Sequence, residues 1–204
     1  LDLLGREEEE WVEDVSGTRL SQSNYAYDVA GNRTKVVRYT QQGESVTRTQ
    51  YDPRGNIVKV IDPLGHVTET IYDYSAFDNH GQHVLQTTRI DPLGQQTITT
   101  YDAGGHVASE ECRNAFGPIS RQDLSYDLSG QLRNRLDTLF APNVPNRYIT
   151  TKWAYNKVGQ ILSLIEAYAT PEQKITNYHY NEYGQQDQVL IENDAQLDFE
   201  YDGM

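Results

Sequence analysis

A six-residue signature recurs along the chain and constrains its fold more than any other feature. It consists of Tyr or Ile, then Asp or Asn, two variable residues, Gly and a polar residue. Complete copies begin at Tyr27, Tyr51, Ile61, Ile90, Tyr101, Tyr126, Tyr155 and Tyr180, and a further copy begins at Tyr201. Internal repetition of this kind indicates an array of supersecondary units rather than a single site built once.

Each signature has the composition of a β-hairpin turn. In the copy at 51–56, Asp52 can accept hydrogen bonds from the backbone ahead of it, Pro53 presets φ, and Gly55 can adopt a positive φ. This pattern predicts a type I turn followed by a left-handed Gly, which closes a hairpin with a bulge. The predicted structural repeat turns contain Tyr27, Asp28, Gly31, Tyr51, Asp52, Gly55, Asp62, Gly65, Asp91, Gly94, Tyr101, Asp102, Gly105, Tyr126, Asp127, Gly130, Tyr155, Gly159, Tyr180 and Gly184.

The segments between signatures have the composition of β-strands. Residues 56–61, 66–72 and 95–101 are rich in Val, Ile, Thr and Tyr, and no stretch shows apolar residues at helical spacing. We therefore predict an all-β fold, a long antiparallel meander of repeated β-hairpins that forms a curved, spiralling sheet. A single repeat region is expected over 1–204. Because the chain begins at Leu1 without Met and ends inside a signature, we expect a fragment of a larger chain.

Less regular turns are predicted between some signatures. Gly-containing turns are expected at 41–44, 79–82 and 114–118, and longer connections around 75–83 and 141–146. The acidic run at 7–10 is expected to be a solvated strand edge or turn, because no helical periodicity follows it.

Composition limits the possible functions. The formal net charge is −13, which argues against binding to nucleic acid or anionic membranes, since both need basic surface. Hydrophobic residues make up 37% of the chain, and no apolar run is long enough for a transmembrane helix. This fits a sheet with at least one hydrated face. A single cysteine, Cys112, excludes an internal disulfide.

Metal binding and catalysis have weak support in the sequence. The signature aspartates lie too far apart for a repeat-built calcium site, so turn capping is the favoured role. His80 and His83 could hold a metal, but the sequence shows no third ligand nearby, and a mobile loop is favoured. Cys112 has no identifiable base, and no nucleophile-elbow motif is present. We therefore expect no catalytic, cofactor-binding or metal-binding residues and no enzymatic activity.

With these signatures, the chain resembles the Rhs or YD-repeat family over essentially its whole length. It is most similar to the shell-forming B and C components of bacterial Tc toxin complexes and to Rhs polymorphic toxins. The resemblance implies a section of a hollow shell that encapsulates a C-terminal toxin polypeptide and helps to deliver it. It implies as partners the rest of the shell, its enclosed toxin and a translocation or secretion protein, and it implies a secreted or bacterial cell-surface location. The family's self-cleavage motif, which ends in Asp-Pro-x-Gly-Leu, does not occur here.

An adhesion module is the alternative from another functional class. Aromatic residues such as Trp11 and Trp153, which we expect to be exposed, could contact a carbohydrate or a cell-surface receptor together with the longer connections. A polysaccharide-processing enzyme is a remote option, since no spacing indicates paired carboxylates in a cleft. The two open edges expected of such a sheet also predict edge-to-edge self-association.

Overall fold

The computed structural model describes residues 1–40, 43–78, 81–142, 144–192 and 194–201. Sixteen β-strands account for most of this part of the chain. In order, they are β1 (Glu9–Glu13), β2 (Arg19–Tyr27), β3 (Arg33–Thr40), β4 (Gly43–Tyr51), β5 (Ile57–Ile61), β6 (Val67–Phe77), β7 (His83–Ile90), β8 (Gln96–Tyr101), β9 (Val107–Asn114), β10 (Gly117–Tyr126), β11 (Leu132–Leu139), β12 (Arg147–Tyr155), β13 (Ile161–Glu166), β14 (Lys174–Tyr180), β15 (Gln186–Ile191) and β16 (Gln196–Asp198).

The order of the strands in the sheet follows their order in the chain, from β1 to β16. The predicted all-β fold, an antiparallel meander of hairpins, is therefore confirmed. This order follows from the short turns, because a turn of a few residues can join only antiparallel neighbours. Curvature and spiralling of the sheet stay predictions. Among the described residues, no helix has the length and apolar character needed to cross a membrane.

Two compact units can be distinguished, and the first comprises Leu1–Tyr72 and Thr87–Gln96. In this unit, one face carries a cross-strand row of small and β-branched residues in which Thr49 lies opposite Val60 and Val60 opposite Thr68. The other face carries the ion pair between Lys59 and Glu69, with 2.8 Å between Nζ and Oε1. Cross-strand pairs of these types are what stabilises a sheet.

The second unit comprises Asp73–Gln86 and Thr97–Met204. One largely apolar row in this unit crosses four strands, from Trp153 through Leu164 and Thr176 to Ile191. This row again consists of aromatic, β-branched and aliphatic side chains that fit a pleated surface.

Burial is shallow in both units. Among the described residues, the buried hydrophobic ones are Val37, Val84 and Val189, and no large side chain is fully buried. A sheet packed against a second layer would bury a whole face of large apolar side chains. The stability of each unit must therefore come largely from neighbouring strands and from the turns that join them.

The structure corrects the longer connection that was predicted around 75–83. Strand β6 continues to Phe77 and β7 begins at His83, so only 78–82 join them. The aromatic and small residues at the end of β6 extend the strand because they suit a pleated surface. Asn79 and His80 lie outside the described residues, as do Gln41 and Gln42 of the turn predicted at 41–44.

The other predicted connections are present with different lengths. Strand β9 ends at Asn114 and β10 begins at Gly117, so this hairpin is tight. The longer connection between β11 and β12 spans 140–146, although Asn143 is outside the described part. The acidic run at 7–10 leads into β1, all of whose residues are exposed.

Candidate functional site

The predicted signature residues occupy equivalent places in the sheet. The tyrosines each end a strand: Tyr27, Tyr51, Tyr101, Tyr126, Tyr155 and Tyr180. The acidic or amide residues start the turns that follow: Asp28, Asp52, Asp62, Asp91, Asp102, Asp127, Asn156 and Asn181. The glycines all have a positive φ, between 78° and 92°: Gly31, Gly55, Gly65, Gly94, Gly105, Gly130, Gly159 and Gly184.

The turn at Asp52 shows the geometry that recurs in these turns. The backbone N–H of Gly55 donates to the carbonyl of Asp52 at 3.0 Å, and the N–H of Asp52 donates to the carbonyl of Asn56 at 2.9 Å. Oδ1 of Asp52 accepts the N–H groups of Arg54 and Asn56 at 2.8 and 2.9 Å. Its Oδ2 accepts the side-chain amide of Asn56 at 2.9 Å. One carboxylate therefore organises the whole tip.

These hydrogen bonds favour the ionised form of the turn carboxylates. The Asn56 side-chain amide, which is the largest cause, lowers the pKa of Asp52 below its ordinary value. The Asn32 side chain and then the Asn32 backbone N–H do the same for the pKa of Asp28. At Asp62, the lowered pKa is caused first by the hydrogen bond from the side chain of His66.

Sequence reasoning missed two turns of the same construction. Oδ1 of Asp14 accepts the N–H groups of Ser16 and Thr18 at 2.8 and 2.9 Å. The turn at Asp78 was predicted as a looser turn that starts one residue later, but the N–H of Gln82 donates to Oδ1 of Asp78 at 2.8 Å. Both were missed because the signature was taken to begin with Tyr or Ile. An Asp-x-x-Gly pattern without that condition finds them.

One edge of each unit is an unbroken row of turns of this construction, and we call it the signature edge. It is formed by the turns that follow the even-numbered strands and by the similar turn that precedes β1. In the first unit these turns span 2–6, 28–32 and 52–56, and in the second 78–82, 102–106, 127–131, 156–160 and 181–185. The opposite edge mixes signature turns with irregular connections such as 140–146 and 167–173.

Signature tyrosines connect successive hairpins along the signature edge. The hydroxyl of Tyr155 donates to the carbonyl of Leu132 at 2.9 Å, and this carbonyl belongs to the hairpin before it. The same bond, to the residue directly after the preceding turn, is made by Tyr27 to Glu7, Tyr51 to Arg33, Tyr126 to Val107, Tyr180 to Ile161 and Tyr201 to Gln186, at 2.7–3.0 Å. Each tyrosine therefore acts as a tie between two neighbouring hairpins. Burial raises the pKa of Tyr126, Tyr155 and Tyr180, which keeps these hydroxyls protonated as donors.

The last residue of a signature contacts the next turn along the same edge. Nε2 of Gln160 donates to the carbonyl of Gly184 at 2.7 Å. Nη1 of Arg6 donates to the carbonyl of Asp28 at 3.1 Å, and its guanidinium lies 4.6 Å from the ring centroid of Tyr27. Consecutive turns are thus linked by side chains as well as by tyrosine ties.

The polar side chains of the signature edge hold its turns together. Its carboxylates are occupied by backbone and side-chain donors, and the described residues contain no group of three or more His, Cys, Asp or Glu side chains that could hold a metal ion. His83 lies in β7 with its ring 4.2 Å from that of Phe77, whereas His80 is outside the described residues. Cys112 lies in β9, where its sulfur is 3.9 Å from the hydroxyl of Thr97.

These features define the class of the protein as a repeat-built antiparallel β-sheet whose hairpins are tied along one edge. Solved structures of Tc toxin components share this fold. The crystal structure of TcdB2-TccC3, and that of TcdB2-TccC3 without its hypervariable C-terminal region, each match 95% of this chain at 18% identity with a TM-score of 0.61. The Photorhabdus luminescens Tc holotoxin pore matches 89% at 16% identity with a TM-score of 0.55.

This chain spans only 11–12% of the length of those structures. The predicted relationship to Tc toxin components is confirmed at the level of the fold. No family model and no curated protein sequence matches the chain.

The tyrosine tie can be tested at Tyr155. We expect Tyr155→Phe to lower the free energy of unfolding by about 0.5–1.5 kcal/mol, because the Leu132 carbonyl loses a donor in a half-buried place. Tyr183→Phe is the matched control, since Tyr183 is 80% exposed within a turn and its replacement should change stability by less than about 0.5 kcal/mol. Urea denaturation of both variants measures the difference. Equal midpoints for the two would contradict the role given to the signature tyrosine.

Proposed function

We propose that this chain is a section of an Rhs or YD-repeat shell that encapsulates a C-terminal toxin polypeptide and helps to deliver it. The segment itself catalyses no reaction in this proposal. The observation that carries it is a sheet that grows hairpin by hairpin through recurring edge contacts, in the fold of Tc toxin components. Because each hairpin contacts only its neighbours, such a sheet can be lengthened by adding hairpins, as a large shell requires.

The shallow burial supports the same function. In both units the sheet faces are half-buried and rich in Thr, Ser, Gln and Tyr, and the residues that the structure describes form no continuous buried apolar layer. A hydrated face of this kind can lie against another polypeptide without offering it an apolar core on which to fold. The partners in this proposal are the rest of the same shell, the enclosed toxin and a translocation or secretion protein. The proposed location is secreted or at the bacterial cell surface.

The test is to isolate the native polypeptide and determine its intact mass, its terminal sequences and its resistance to protease. A shell requires a chain several times longer than this one and an unrelated C-terminal polypeptide that resists protease while the shell is folded. The control is the same digestion in denaturant, which should expose that polypeptide. A native product near 23.3 kDa, or a C-terminal polypeptide digested equally in both conditions, would contradict the proposal.

One structural observation bears on the alternative adhesion function. Trp11 is 46% exposed on the edge strand β1 and packs against the guanidinium of Arg19 at 4.8 Å. An exposed aromatic of this kind could stack on a sugar ring. Glycan-array binding that is lost in Trp11→Ala and kept in Trp153→Phe would favour adhesion.

A further inference from the structure

Two basic side chains face each other across neighbouring strands of the first unit. Lys35 on β3 lies directly opposite Arg48 on β4, on the face of the sheet that also carries the ion pair between Lys59 and Glu69. The Cβ atoms of such a pair are about 4.5–5.5 Å apart, and like charges placed there destabilise a sheet. The chain therefore bears an unfavourable contact at this point, and an anion between the two groups relieves it.

The described residues supply no acidic partner to this pair. Neither Lys35 nor Arg48 makes a side-chain hydrogen bond or ion pair with any residue that the structure describes. Glu69, an acid on the same face two strands away from Arg48, is already bonded to Lys59 at 2.8 Å. Arg48 is exposed and Lys35 is half-buried, so an anion outside the sheet can reach both.

Small and apolar side chains surround the two cations. Ala26 lies opposite Lys35 on the side away from Arg48, and Ile61 lies opposite Arg48 on the side away from Lys35. Val46 precedes Arg48 by two residues on β4, so it lies on the same face, where it is half-buried. A ligand that contacts both cations therefore also contacts apolar surface, and the site favours an acid with an apolar group beside it.

We propose that this face of the first unit binds an acidic polypeptide segment in an extended conformation. One carboxylate lies between Lys35 and Arg48, and an apolar side chain two residues away in the segment lies against Val46. Side chains two residues apart in an extended chain point to the same side about 6.4–6.8 Å from each other, which is also the spacing from Arg48 to Val46 along β4. The guanidinium of Arg48 can donate two hydrogen bonds to one carboxylate, and the ammonium of Lys35 can add another.

A polypeptide fits this site better than a nucleic acid does. The chain has a net charge of −13, which repels a polyanion that must lie along a whole surface. A polypeptide presents a single carboxylate to the two cations and places apolar or neutral side chains on either side of it. The inference does not rest on the proposed function, because it uses only the charges and neighbours of adjacent strands.

Peptide titration of the 204-residue chain tests the chemistry of the ligand. The probe is a synthetic peptide with the repeat Glu-Ser-Val-Ser, which places Glu and Val in alternation on one side when it is extended. The reference peptide has Gln in place of Glu. At low salt, fluorescence anisotropy should show about tenfold tighter binding of the Glu peptide, and added salt should reduce this difference. Equal affinity for the two peptides would overturn the proposal.

Arg48→Gln and Arg38→Gln are matched variants that test the location of the site. Arg38 is also exposed, but it lies opposite Ser23 and Ser45, so its side chain projects from the other face of the sheet. Each variant removes one positive charge. We expect Arg48→Gln to weaken binding of the Glu peptide by about three- to tenfold and Arg38→Gln by less than about twofold. Equal weakening would mean that only net charge attracts the peptide, and the site would be wrong.

Lys35→Gln separates binding from a structural role of the lysine. It should weaken binding of the Glu peptide by about three- to tenfold, whereas the urea midpoint of the free chain should stay the same or rise, because a like-charge pair is removed. A lowered midpoint would show that Lys35 stabilises the sheet by itself, which contradicts the proposal. Free glutamate serves as the competitor for a small-anion site. If it displaced the peptide at the same carboxylate concentration, the assignment to a polypeptide segment would be overturned.

Discussion

Replacing Asn181 with alanine is expected to lower the free energy of unfolding by about 1–2 kcal/mol. Oδ1 of Asn181 accepts the N–H groups of Tyr183 and Gln185, each at 3.0 Å. Its Nδ2 donates to Oε1 of Gln185 at 3.0 Å. Alanine removes all three bonds and leaves the turn with its two backbone bonds. The change in the midpoint of urea denaturation measures the loss.

Asn181→Asp is the matched control for this prediction. The chain itself places Asp at the same position in other signature turns, where one carboxylate oxygen accepts the same two backbone N–H groups, as Asp127 does at 2.9 and 3.0 Å. The side-chain amide of Gln185 can rotate to donate to the second oxygen. We expect Asn181→Asp to keep most of the stability. If it destabilised the protein as much as Asn181→Ala, the side-chain acceptor would not be what stabilises the turn.

The same local chemistry explains how much of the fold could be predicted from sequence. Asp-Pro-x-Gly segments such as those at 62–65 and 91–94 specify a turn through residues that are adjacent in the chain. Because the turns are short, each strand can pair only with its neighbours in sequence. The sequential antiparallel order from β1 to β16 follows from these two local rules and needs no long-range information.

Contacts between hairpins could not be predicted in this way. The tie between Tyr155 and Leu132 and the bond from Gln160 to Gly184 join residues that a whole hairpin separates. These hydrogen bonds between hairpins form only where two turns lie on the same edge of the sheet. Which turns share an edge can be worked out only when every turn has been found. The missed turn at Asp78 hid the regular row of the signature edge, because without it the row is interrupted between the turns at 52–56 and 102–106.

The length predicted for the connection around 75–83 was wrong for a related reason. Phe77 takes the place that Tyr holds in other signatures, and Phe does not match a pattern defined by Tyr or Ile. Strand β6 therefore continued further than expected. Tyr72, earlier in the same strand, donates its hydroxyl to the carbonyl of Ile57 at 3.4 Å, directly after the preceding signature turn.

Acid is expected to destabilise the protein as the pH falls below about 4, the region of the ordinary carboxyl pKa. The pKa values of Asp28, Asp52 and Asp62 are lowered in the folded state from 3.8 by hydrogen bonds to the side chains of Asn32, Asn56 and His66. The stabilising contribution of such a carboxylate is complete above its unfolded pKa and is lost as the pH falls through the lower folded pKa. Urea midpoints measured between pH 7 and pH 2 test this dependence.

Net charge also changes the stability with pH, and a matched variant separates the two effects. Protonation of carboxylates from a net charge of −13 at pH 7 towards the pI of about 4.7 relieves self-repulsion, but below the pI the chain becomes positively charged and self-repulsion increases again. In Asp28→Asn/Asp52→Asn, both turns keep an acceptor oxygen that does not titrate, as the turn at Asn181 does. Because two titrating turn carboxylates are absent, we expect this variant to lose less stability than the unmodified chain between pH 4 and pH 2. An identical acid loss in the two proteins would show that turn carboxylates do not govern acid stability, and would leave net charge as the cause.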